Sequence, residues 1–561
     1  MRTHTHVLVA CAAAAGMFSV PDAAQAGDAV VLYSAGIDGW LDDPKDAGLH
    51  AALVMMQENG LSLPPNMGPA ESHAANLIAD VALSELDVRV VMREPSGPGG
   101  MPFGFTVASR GNAGTSADSL LEQLTTLLQT VGAPTGAPDP ERPGFLKIDR
   151  QRGGPPVWLG TESAGDQTTA VLSVNMPPES TDTDWSGSGL PVGTDPLFGG
   201  LIDFNEMQPL LGMAAMAGPQ VATSLSKLGL TGPDAMRMEF AGWRDGGSIR
   251  FGGRISNYGD HYGDMLVEGG VGKQQLQAVP SDTVGMQVNR FNIRGMCDSM
   301  FDLADGMMAP MMGDAEKLPM SPSEMMCAQA KMAIGINPKT EFIDYLGDSL
   351  VFYRSRSTGG DGLMSSVMLL GLSNADGMAT TLGGLASRIN GMVTPLSQGY
   401  VQMTTWSHPD CGEVIALTFP GLPVPVELSM VVKDDWFVAT LNPQAMVAAC
   451  RQLSASTSVL DNPRFTSAVG NSGIGTVQVN FCDLPAQLDR GYGIAVGLMS
   501  AVSNYTRPRR DAGAGVPMIL PPYADLIEGA EPWVLLAEMS GDDLVYTGGC
   551  DSSVNVLITG T

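Results

Sequence analysis

The sequence predicts an α+β fold of two similar units, each a mainly antiparallel curved sheet packed on helices. Two stretches, 201–253 and 477–549, repeat the same order of strand, helix and strand pair. Short turns rich in Gly and Asp connect neighbouring strands, which favours antiparallel pairing over long parallel crossovers. The composition, 44% apolar and 16% charged, is sufficient for large cores and is not typical of a disordered chain.

Matching residues mark the start and the end of both repeated stretches. Each begins with an aromatic residue, one further residue, an acid and an apolar residue, at 204–207 and 481–484. Each closes on two glycines, Gly252-Gly253 and Gly548-Gly549, after a Gly/Asp turn of the kind that requires positive φ.

Two further matches extend the repeat towards the N-terminus of each half. The strand that begins at Asp28 resembles the one at Asp282, and the strand-loop-strand-helix run 87–131 resembles 348–392. All matches keep the same order, and their spacing only grows along the chain. A repeat of this kind predicts duplicated units, at 27–275 and 276–561.

In the first half, local patterns predict four strands, a strand-to-helix opening at 28–40 and one capped helix. Ser116 is the predicted cap of that helix, whose apolar residues Leu120, Leu124, Leu127 and Val131 follow helical spacing. The strands are 88–93, 103–108, 157–160 and 169–174.

In the second half, four helices and a meander of strands are predicted. The first helix is predicted from an apolar stripe of Ile293, Met296, Met300, Leu303, Met307 and Met311, and the second begins at a capping box of Ser321, Pro322 and Glu324. The third follows Asn374 and turns inward Met378, Leu382, Leu385, Ile389 and Met392. The fourth runs from Asn442-Pro443 to about Leu453. The strands are 350–353, 364–370, 401–406, 414–419, 427–432 and 436–441.

These motifs resemble a broad family of uncharacterised, secreted bacterial proteins with a domain of unknown function. The resemblance is carried by the opening at Asp282, Leu346-Gly347-Asp348 before a strand, Lys433-Asp434-Asp435 at a turn, and the closing glycine pair. It implies secretion and an α+β fold over nearly all of the mature chain. It implies no catalytic residues.

The N-terminus has the features of a secretory signal peptide. Arg2 is the basic residue, an Ala-rich apolar run follows, and a small-residue site places cleavage between Ala26 and Gly27. Residues 1–26 are therefore predicted to be removed. The alternative is lipid attachment at Cys11, but the apolar run before it is short for such a signal.

The charge and hydropathy patterns argue against a nucleic-acid partner and against a transmembrane segment. The net charge is −29, so the chain as a whole repels a phosphate backbone, and we predict no nucleic-acid partner. The one basic cluster, Arg507, Arg509 and Arg510, is interpreted as a solvated loop. No run of about 18 apolar residues follows the signal segment, so no transmembrane segment is predicted.

Cysteine usage predicts disulfides in an oxidising compartment. Apart from Cys11, an even number of cysteines is present, all in the second half. They are Cys297, Cys327, Cys411, Cys450, Cys482 and Cys550. Sequence does not choose their pairing, and buried thiols are the alternative because the first half has no cysteine of its own after cleavage.

Three possible ion sites have simpler interpretations. The loop at Asp182, Asp184 and Ser186 resembles the start of a calcium loop but has Gly193 where glutamate is needed, and an acidic loop is preferred. The methionines at 307–332 are a possible copper(I) site, yet are better interpreted as core. The glycines at 269–272 lack phosphate-loop spacing, and Gln274 replaces the required Ser or Thr.

No catalytic constellation emerges from the histidines of the mature chain. Two clusters contain one histidine each and are possible metal ligands, but both are interpreted as hairpin tips. They are Asp260, His261 and Asp264, and His408, Asp410, Cys411 and Glu413. His50 and His73 lie elsewhere in the sequence. We therefore predict no enzyme activity, no catalytic residue, no cofactor and no metal.

The leading functional interpretation is an exported, noncatalytic envelope protein that binds or scaffolds an unknown partner or ligand, in the periplasm or outside the cell. One alternative is a periplasmic carrier of an apolar ligand, which needs a cavity between sheet and helices. Another is a hydrolase with an unrecognised site. The sequence determines neither the partner nor the oligomeric state.

Overall fold

The computed structural model describes most of the chain beyond the signal segment. The described residues are 28–59, 68–93, 101–130, 136–148, 155–164, 167–178, 185–216, 219–308, 320–360, 362–469, 473–506, 519–528 and 530–551. Cys11, the cleavage site at Ala26 and Gly27, and the basic cluster at 507–510 lie outside the described residues. So do Asp182 and Asp184.

The chain divides into two compact units. Unit 1 comprises Met1–Asn257, Leu488–Ala530 and Asp551–Thr561, and unit 2 comprises Tyr258–Gln487 and Glu531–Cys550. This division differs from the predicted boundary at 275/276 in three places. Residues 258–275 lie in unit 2, and two segments of the second half, 488–530 and 551–561, lie in unit 1.

Each unit contains one antiparallel sheet with ten strands among the described residues. In unit 1 the strands are β1 (Asp28–Ser34), β2 (Glu85–Met92), β3 (Phe103–Gly111), β4 (Ala137–Pro138), β5 (Phe145–Ile148), β6 (Val157–Ala164), β7 (Gln167–Val174), β8 (Phe198–Asp203), β9 (Arg237–Asp245) and β10 (Ser248–Ser256). Their order across the sheet is β10-β9-β8-β1-β2-β3-β7-β6-β5-β4.

In unit 2 the strands are β11 (Thr283–Arg290), β12 (Leu346–Ser355), β13 (Val367–Leu372), β14 (Gln402–His408), β15 (Gly412–Thr418), β16 (Leu428–Lys433), β17 (Trp436–Thr440), β18 (Gln478–Cys482), β19 (Trp533–Ser540) and β20 (Asp543–Cys550). Their order is β20-β19-β18-β11-β12-β13-β17-β16-β15-β14. Position by position, this is the pairing order of the first sheet.

Helices lie in the connections between strands. Those before the second sheet are α1 (Gly36–Trp40), α2 (Ala47–Asn59), α3 (Pro69–Leu83), α4 (Ala117–Thr130), α5 (Gln208–Ala215), α6 (Pro219–Lys227), α7 (Tyr258–Tyr262) and α8 (Lys273–Gln277). The later ones are α9 (Ile293–Met308), α10 (Pro322–Ile334), α11 (Ala375–Leu396), α12 (Pro443–Leu453), α13 (Pro463–Val469), α14 (Leu484–Thr506) and α15 (Tyr523–Ile527). The α+β class is confirmed.

The predicted helix starts are confirmed at their caps. Ser321 Oγ accepts a hydrogen bond from Glu324 N at 3.2 Å, and Ser321 N donates to the Glu324 carboxylate at 2.9 Å. Asn442 Oδ1 accepts from Ala445 N at 2.8 Å. These side chains satisfy backbone N–H groups that the first turn of a helix leaves unpaired.

The strand pairs that close the two sheets are two-residue hairpins, as predicted. Gly246 (φ 62°) turns β9 into β10, and Gly541 (φ 65°) turns β19 into β20. One expectation is wrong: in the first repeat, the strand pair does not stop at Gly252-Gly253, because β10 pairs with β9 as far as Ser256. A glycine fits within the strand because a Cβ at Gly253 would clash with Phe240.

The unit 2 sheet is covered by helices on both faces. On one face, α8, α12 and α13 pack side chains such as Met446 and Phe465 against Tyr353 and Val438. On the other face, the first turns of α9 and most of α11, from Met378 to Ile389, cover Leu346 and Phe437. The alternation of side chains along each strand therefore serves two separate cores.

Unit 1 has a core to which the second half of the chain contributes. Leu41 and Leu49, which follow β1, pack with Leu488, Leu520 and Leu526 in one buried cluster. Tyr492 of α14 stacks edge-on with Tyr523 of α15, with ring centroids 5.5 Å apart. The segment 488–530 is thus part of the unit 1 interior.

Among the described residues, no helix has both the length and the apolar character needed to cross a membrane.

Candidate interaction surface

Two neighbouring helices of unit 2 expose four methionines. Met300 on α9 is 63% exposed, and Met326 and Met332 on α10 are 56% and 76% exposed. Met308, at the end of α9, is also exposed. We call Met300, Met308, Met326 and Met332 the methionine surface.

The exposure of Met300 corrects the prediction that the whole stripe on α9 is core. Ile293 is buried and Cys297 is half-buried against the sheet, because the first turns of α9 pack on it. Met296 and Leu303 are half-buried, and Met300 is exposed. The side chain of Met307 and all of Met311 lie outside the described residues. Periodicity identifies an apolar face, but not how far along the helix that face is covered.

Polar contacts join α9 to α10 and hold both helices. Asp305 accepts hydrogen bonds from Ser323 N at 2.6 Å and Ser323 Oγ at 2.7 Å, so an α9 side chain helps to cap α10. Arg294 donates to the carbonyl of Asp344 at 2.7 Å. Sequence reasoning missed both contacts, since neither has a local spacing signal.

The loop after α10 adds charged contacts. Lys339 donates a hydrogen bond to Asp298, which raises the pKa of the lysine, and its Nζ lies 5.7 Å from the centroid of the Phe301 ring. Glu341 accepts hydrogen bonds from Asn337 N at 2.8 Å and from Lys331 at 2.9 Å. The backbone hydrogen bond is the first cause of its lowered pKa. The backbone under the methionine surface is therefore tied at both helices.

A fixed backbone that carries exposed methionines suits binding to apolar surfaces of varied shape. The methionine side chain is unbranched and polarisable, so it repacks against different partners at little cost. Among the described residues, no group of three or more His, Cys, Asp or Glu side chains is placed to hold a metal ion.

Of the six cysteines predicted to pair, the structure brings Cys411 and Cys450 to disulfide distance, with 5.3 Å between their Cα atoms. This bond joins α12 to the hairpin between β14 and β15. Cys297, Cys327 and Cys482 are thiols in this structure.

Cys482 and Cys550 lie too far apart to bond with each other. Strand β19 lies between β18 and β20, and Cys482 on β18 pairs with Trp533 on β19. Gly549 on β20 pairs with Val534, so Cys550 lies next to Trp533 on the opposite edge of β19. Two strand spacings separate them by about 9.6 Å, beyond the roughly 7 Å reach of a disulfide. Burial raises the pKa of Cys482 to about 12 and also raises that of Cys297.

One predicted histidine cluster is a hairpin tip, as interpreted from the sequence. His408 pairs with Gly412 across the turn between β14 and β15, and Cys411 is bonded to Cys450. Asp410 accepts a hydrogen bond from Arg451 Nε at 2.5 Å. The hairpin is thus held by an ion pair as well as by the disulfide.

The other histidines lie on separate elements. Asp260 and His261 belong to α7, with Asp264 in the 3-10 turn that follows, so this cluster is helical and not a turn between strands. His50 Nε2 lies 2.7 Å from Asp38 Oδ1, and His73 is exposed on α3.

The glycines at 269–272 lead into α8, which has a structural role. Gly272 N donates to Gln275 Oε1 at 3.0 Å. The Nε2 atom of the same Gln275 side chain, which is buried, donates to Ser349 Oγ at 2.9 Å. Arg290 donates to the carbonyl of Gly270 at 2.8 Å. The loop is closed by these side chains.

The acid of the second repeated motif, Asp483, lies next to Cys482, and its burial was not predicted from the sequence. Asp483 is 8% exposed and lies 3.3 Å from Arg464. Burial raises the pKa of Asp483, while Arg464 and Arg356 oppose that rise. The arginines compensate for the cost of burying this carboxylate at the end of β18.

No protein-family model, no curated protein and no solved structure matches this chain.

Proposed function

We propose that this chain is an exported, noncatalytic envelope protein that binds or scaffolds another component through the methionine surface. The observation that carries the proposal is the exposure of Met300, Met326 and Met332 on two helices tied to each other. Large exposed apolar side chains on two neighbouring helices favour interaction with an apolar partner.

Export is supported by the signal-like N-terminus and by the Cys411–Cys450 pair. Disulfides persist in oxidising compartments and are rare where thiols are kept reduced. Both features favour a location in the periplasm or outside the cell. Membership of the secreted family that the motifs resemble stays a prediction.

A binding role is favoured over the carrier because the space between the unit 2 sheet and its helices holds protein side chains. Tyr353, Met446 and Phe465 are buried in the layer where a carrier needs a cavity. A noncatalytic role is favoured over a hydrolase because the histidines lie on separate elements. Loss of hydrolytic turnover on His261→Ala or His408→Ala, with folding intact, would contradict it.

We also infer that the two units arose by duplication. The shared pairing order of the strands supports this inference. So do the sequence landmarks: Asp28 lies on β1 and Asp282 next to β11, Asp87 and Asp348 lie on β2 and β12, and the closing glycine pairs lie on β10 and β20. Superposition of the ten-strand sheets in an experimental structure, with the landmarks in register, is the test.

The binding proposal is tested by site-specific photo-crosslinking in the native envelope. A crosslinking amino acid is placed at Met326 or at Met332, and at Leu363 as a control. Leu363 is an equally exposed apolar residue of the same unit, in a 3-10 turn away from α9 and α10.

We expect Met326 and Met332 to give the same adduct and Leu363 to give none. Adducts of one kind at all three positions indicate nonspecific contact and contradict the proposal. So does an absence of adducts at both methionines.

A further inference from the structure

Helix α14 has an outer face that lacks the charged residues expected of a surface helix. Its inner face packs Leu488 and Ala495 into the unit 1 core. On the outside, Ile494 is 66% exposed and Leu498 is 59% exposed. Helices that are apolar on all sides are normally covered on all sides.

The same stretch of α14 carries no charge. From Gly491 to Thr506 the sequence has no Asp, Glu, Lys, Arg or His, within a chain of net charge −29. Exposed positions of a helix usually carry such residues. Here small or uncharged residues occupy them: Gly493, Gly497, Ser500, Ala501 and Asn504.

Small residues and large residues run side by side on this face. Gly493, Gly497 and Ala501 recur every fourth residue, and a Cβ at Gly493 or Gly497 would meet no atom within 4 Å. These positions form a shallow groove on the helix surface. Ile494 and Leu498 form a ridge next to it.

We propose that this outer face of α14 binds the same face of a second copy of the chain. A groove and a ridge on one face are complementary to each other, so a twofold rotation fits the ridge of each copy into the groove of the other. Small residues permit close approach of the two helix backbones.

The absence of charge on this face makes it a place where a second copy of an acidic chain can bind. Two chains of net charge −29 repel each other, and a pair contact that buried acids would add a large desolvation cost. The uncharged stretch of α14 lets two copies meet without placing carboxylates against each other.

A lipid surface fits this face less well. Helices that lie on membranes have bulky apolar side chains on one face and Lys or Arg beside them. Between Gly491 and Thr506, α14 has no basic residue and has glycine at the centre of its exposed side. The face thus favours a helix partner over acyl chains.

The test is sedimentation velocity of the purified full chain over a range of concentrations, with three variants. Ile494→Glu places an acid on the ridge. Gly497→Leu fills the groove without adding charge and favours the helix, because leucine has the higher helix propensity. Ile78→Glu is the control, since Ile78 is a similarly exposed apolar residue on α3.

We expect a reversible dimer whose dissociation constant rises about tenfold or more in Ile494→Glu and in Gly497→Leu, and stays unchanged in Ile78→Glu. A chain that stays monomeric at all concentrations overturns the proposal. An equal effect of Ile78→Glu also overturns it.

Vesicle cosedimentation separates the lipid alternative. Vesicles of phosphatidylethanolamine and phosphatidylglycerol are used with the same variants. The dimer proposal is overturned in favour of a lipid surface if the chain is monomeric, binds these vesicles, and binds them more tightly when it carries Gly497→Leu. Weaker self-association in Gly497→Leu with no vesicle binding supports the proposal.

Discussion

The two units share one strand order but differ in the connections after their seventh and eighth strands. In unit 1 the described part of the connection after β7 contains one 3-10 turn (Ser186–Ser188), whereas α12 and α13 follow β17 in unit 2. After β8, helices α5 and α6 stay in unit 1. After β18, which belongs to unit 2, the segment 488–530 is part of unit 1.

This comparison separates what the sheet requires from what the connections contribute. The same ten-strand pairing accommodates connections of different length and destination, because ladder hydrogen bonds depend on the strands and their tight turns. Each connection then adds its own stabilising feature. In unit 2 that feature is the disulfide on α12, and in unit 1 it is the set of leucines contributed by 488–530.

The largest effect is expected when unit 1 loses the segment contributed by the second half. A chain ending at Asn257 lacks Leu488, Leu520 and Leu526, and its Leu41 and Leu49 lose their cover. Each buried leucine is worth about 3 kcal/mol, and domains are stable by only about 5–15 kcal/mol. We expect no cooperative urea transition and no near-ultraviolet circular dichroism. Cooperative unfolding of this shortened chain would show that unit 1 is complete without the segment.

Removal of the disulfide is expected to destabilise unit 2 specifically. Cys411 and Cys450 are 39 residues apart, and closing a loop of that length stabilises by about 4 kcal/mol in the chain-entropy estimate. The double variant Cys411→Ala/Cys450→Ala should lose about that much unfolding free energy in urea unfolding followed by tryptophan fluorescence. Cys327→Ala, a buried cysteine outside the bond, is the control for side-chain removal. A loss no larger than that of the control contradicts the prediction.

Two positions on α14 sharpen the comparison within one helix. Leu488→Ala should cost about 3 kcal/mol of unfolding free energy, because Leu488 is fully buried in the unit 1 core. Ile494→Ala should change the unfolding free energy by less than about 0.5 kcal/mol once the higher helix propensity of alanine is subtracted, because Ile494 is exposed. Both are measured by urea unfolding at low protein concentration, where self-association is negligible. Equal losses would show that the two faces of α14 are not distinct.

The smallest effect at neutral pH, and one that appears only above pH 9.0, is expected from the thiol of Cys482. Its pKa is about 12 in the folded chain against an ordinary value of 9.0. Below pH 9.0 both folded and unfolded states keep the proton, so the group does not affect stability there. Between 9.0 and about 12 only the unfolded state loses it, and stability falls by about 1.4 kcal/mol per pH unit.

Two measurements test this prediction. Cys482→Ala should remove that slope from the pH dependence of unfolding. Under native conditions iodoacetamide should label the half-buried Cys297 before Cys482, as read by peptide mass spectrometry. Labelling of Cys482 first would contradict its burial.

Much of the fold was predictable because its signals are local. The caps at Ser321 and Asn442 and the turns at Gly246 and Gly541 are set by hydrogen bonds or backbone angles within a few residues. The order of repeated landmarks along the chain likewise comes from the sequence, and it follows the order of the paired strands.

The tertiary structure decided which side chains are buried and which residues contact each other. The spacing of Met300 predicts an apolar face of α9, but the sheet ends before that face does, so Met300 is exposed. Six cysteines leave their pairing open, and only the position of α12 against the β14–β15 hairpin brings Cys411 to Cys450. The apolar residues of α14 follow β18 in sequence, yet Leu488 completes the unit 1 core. The amino-acid order determines which side chains avoid water, whereas long-range packing determines which surfaces cover them.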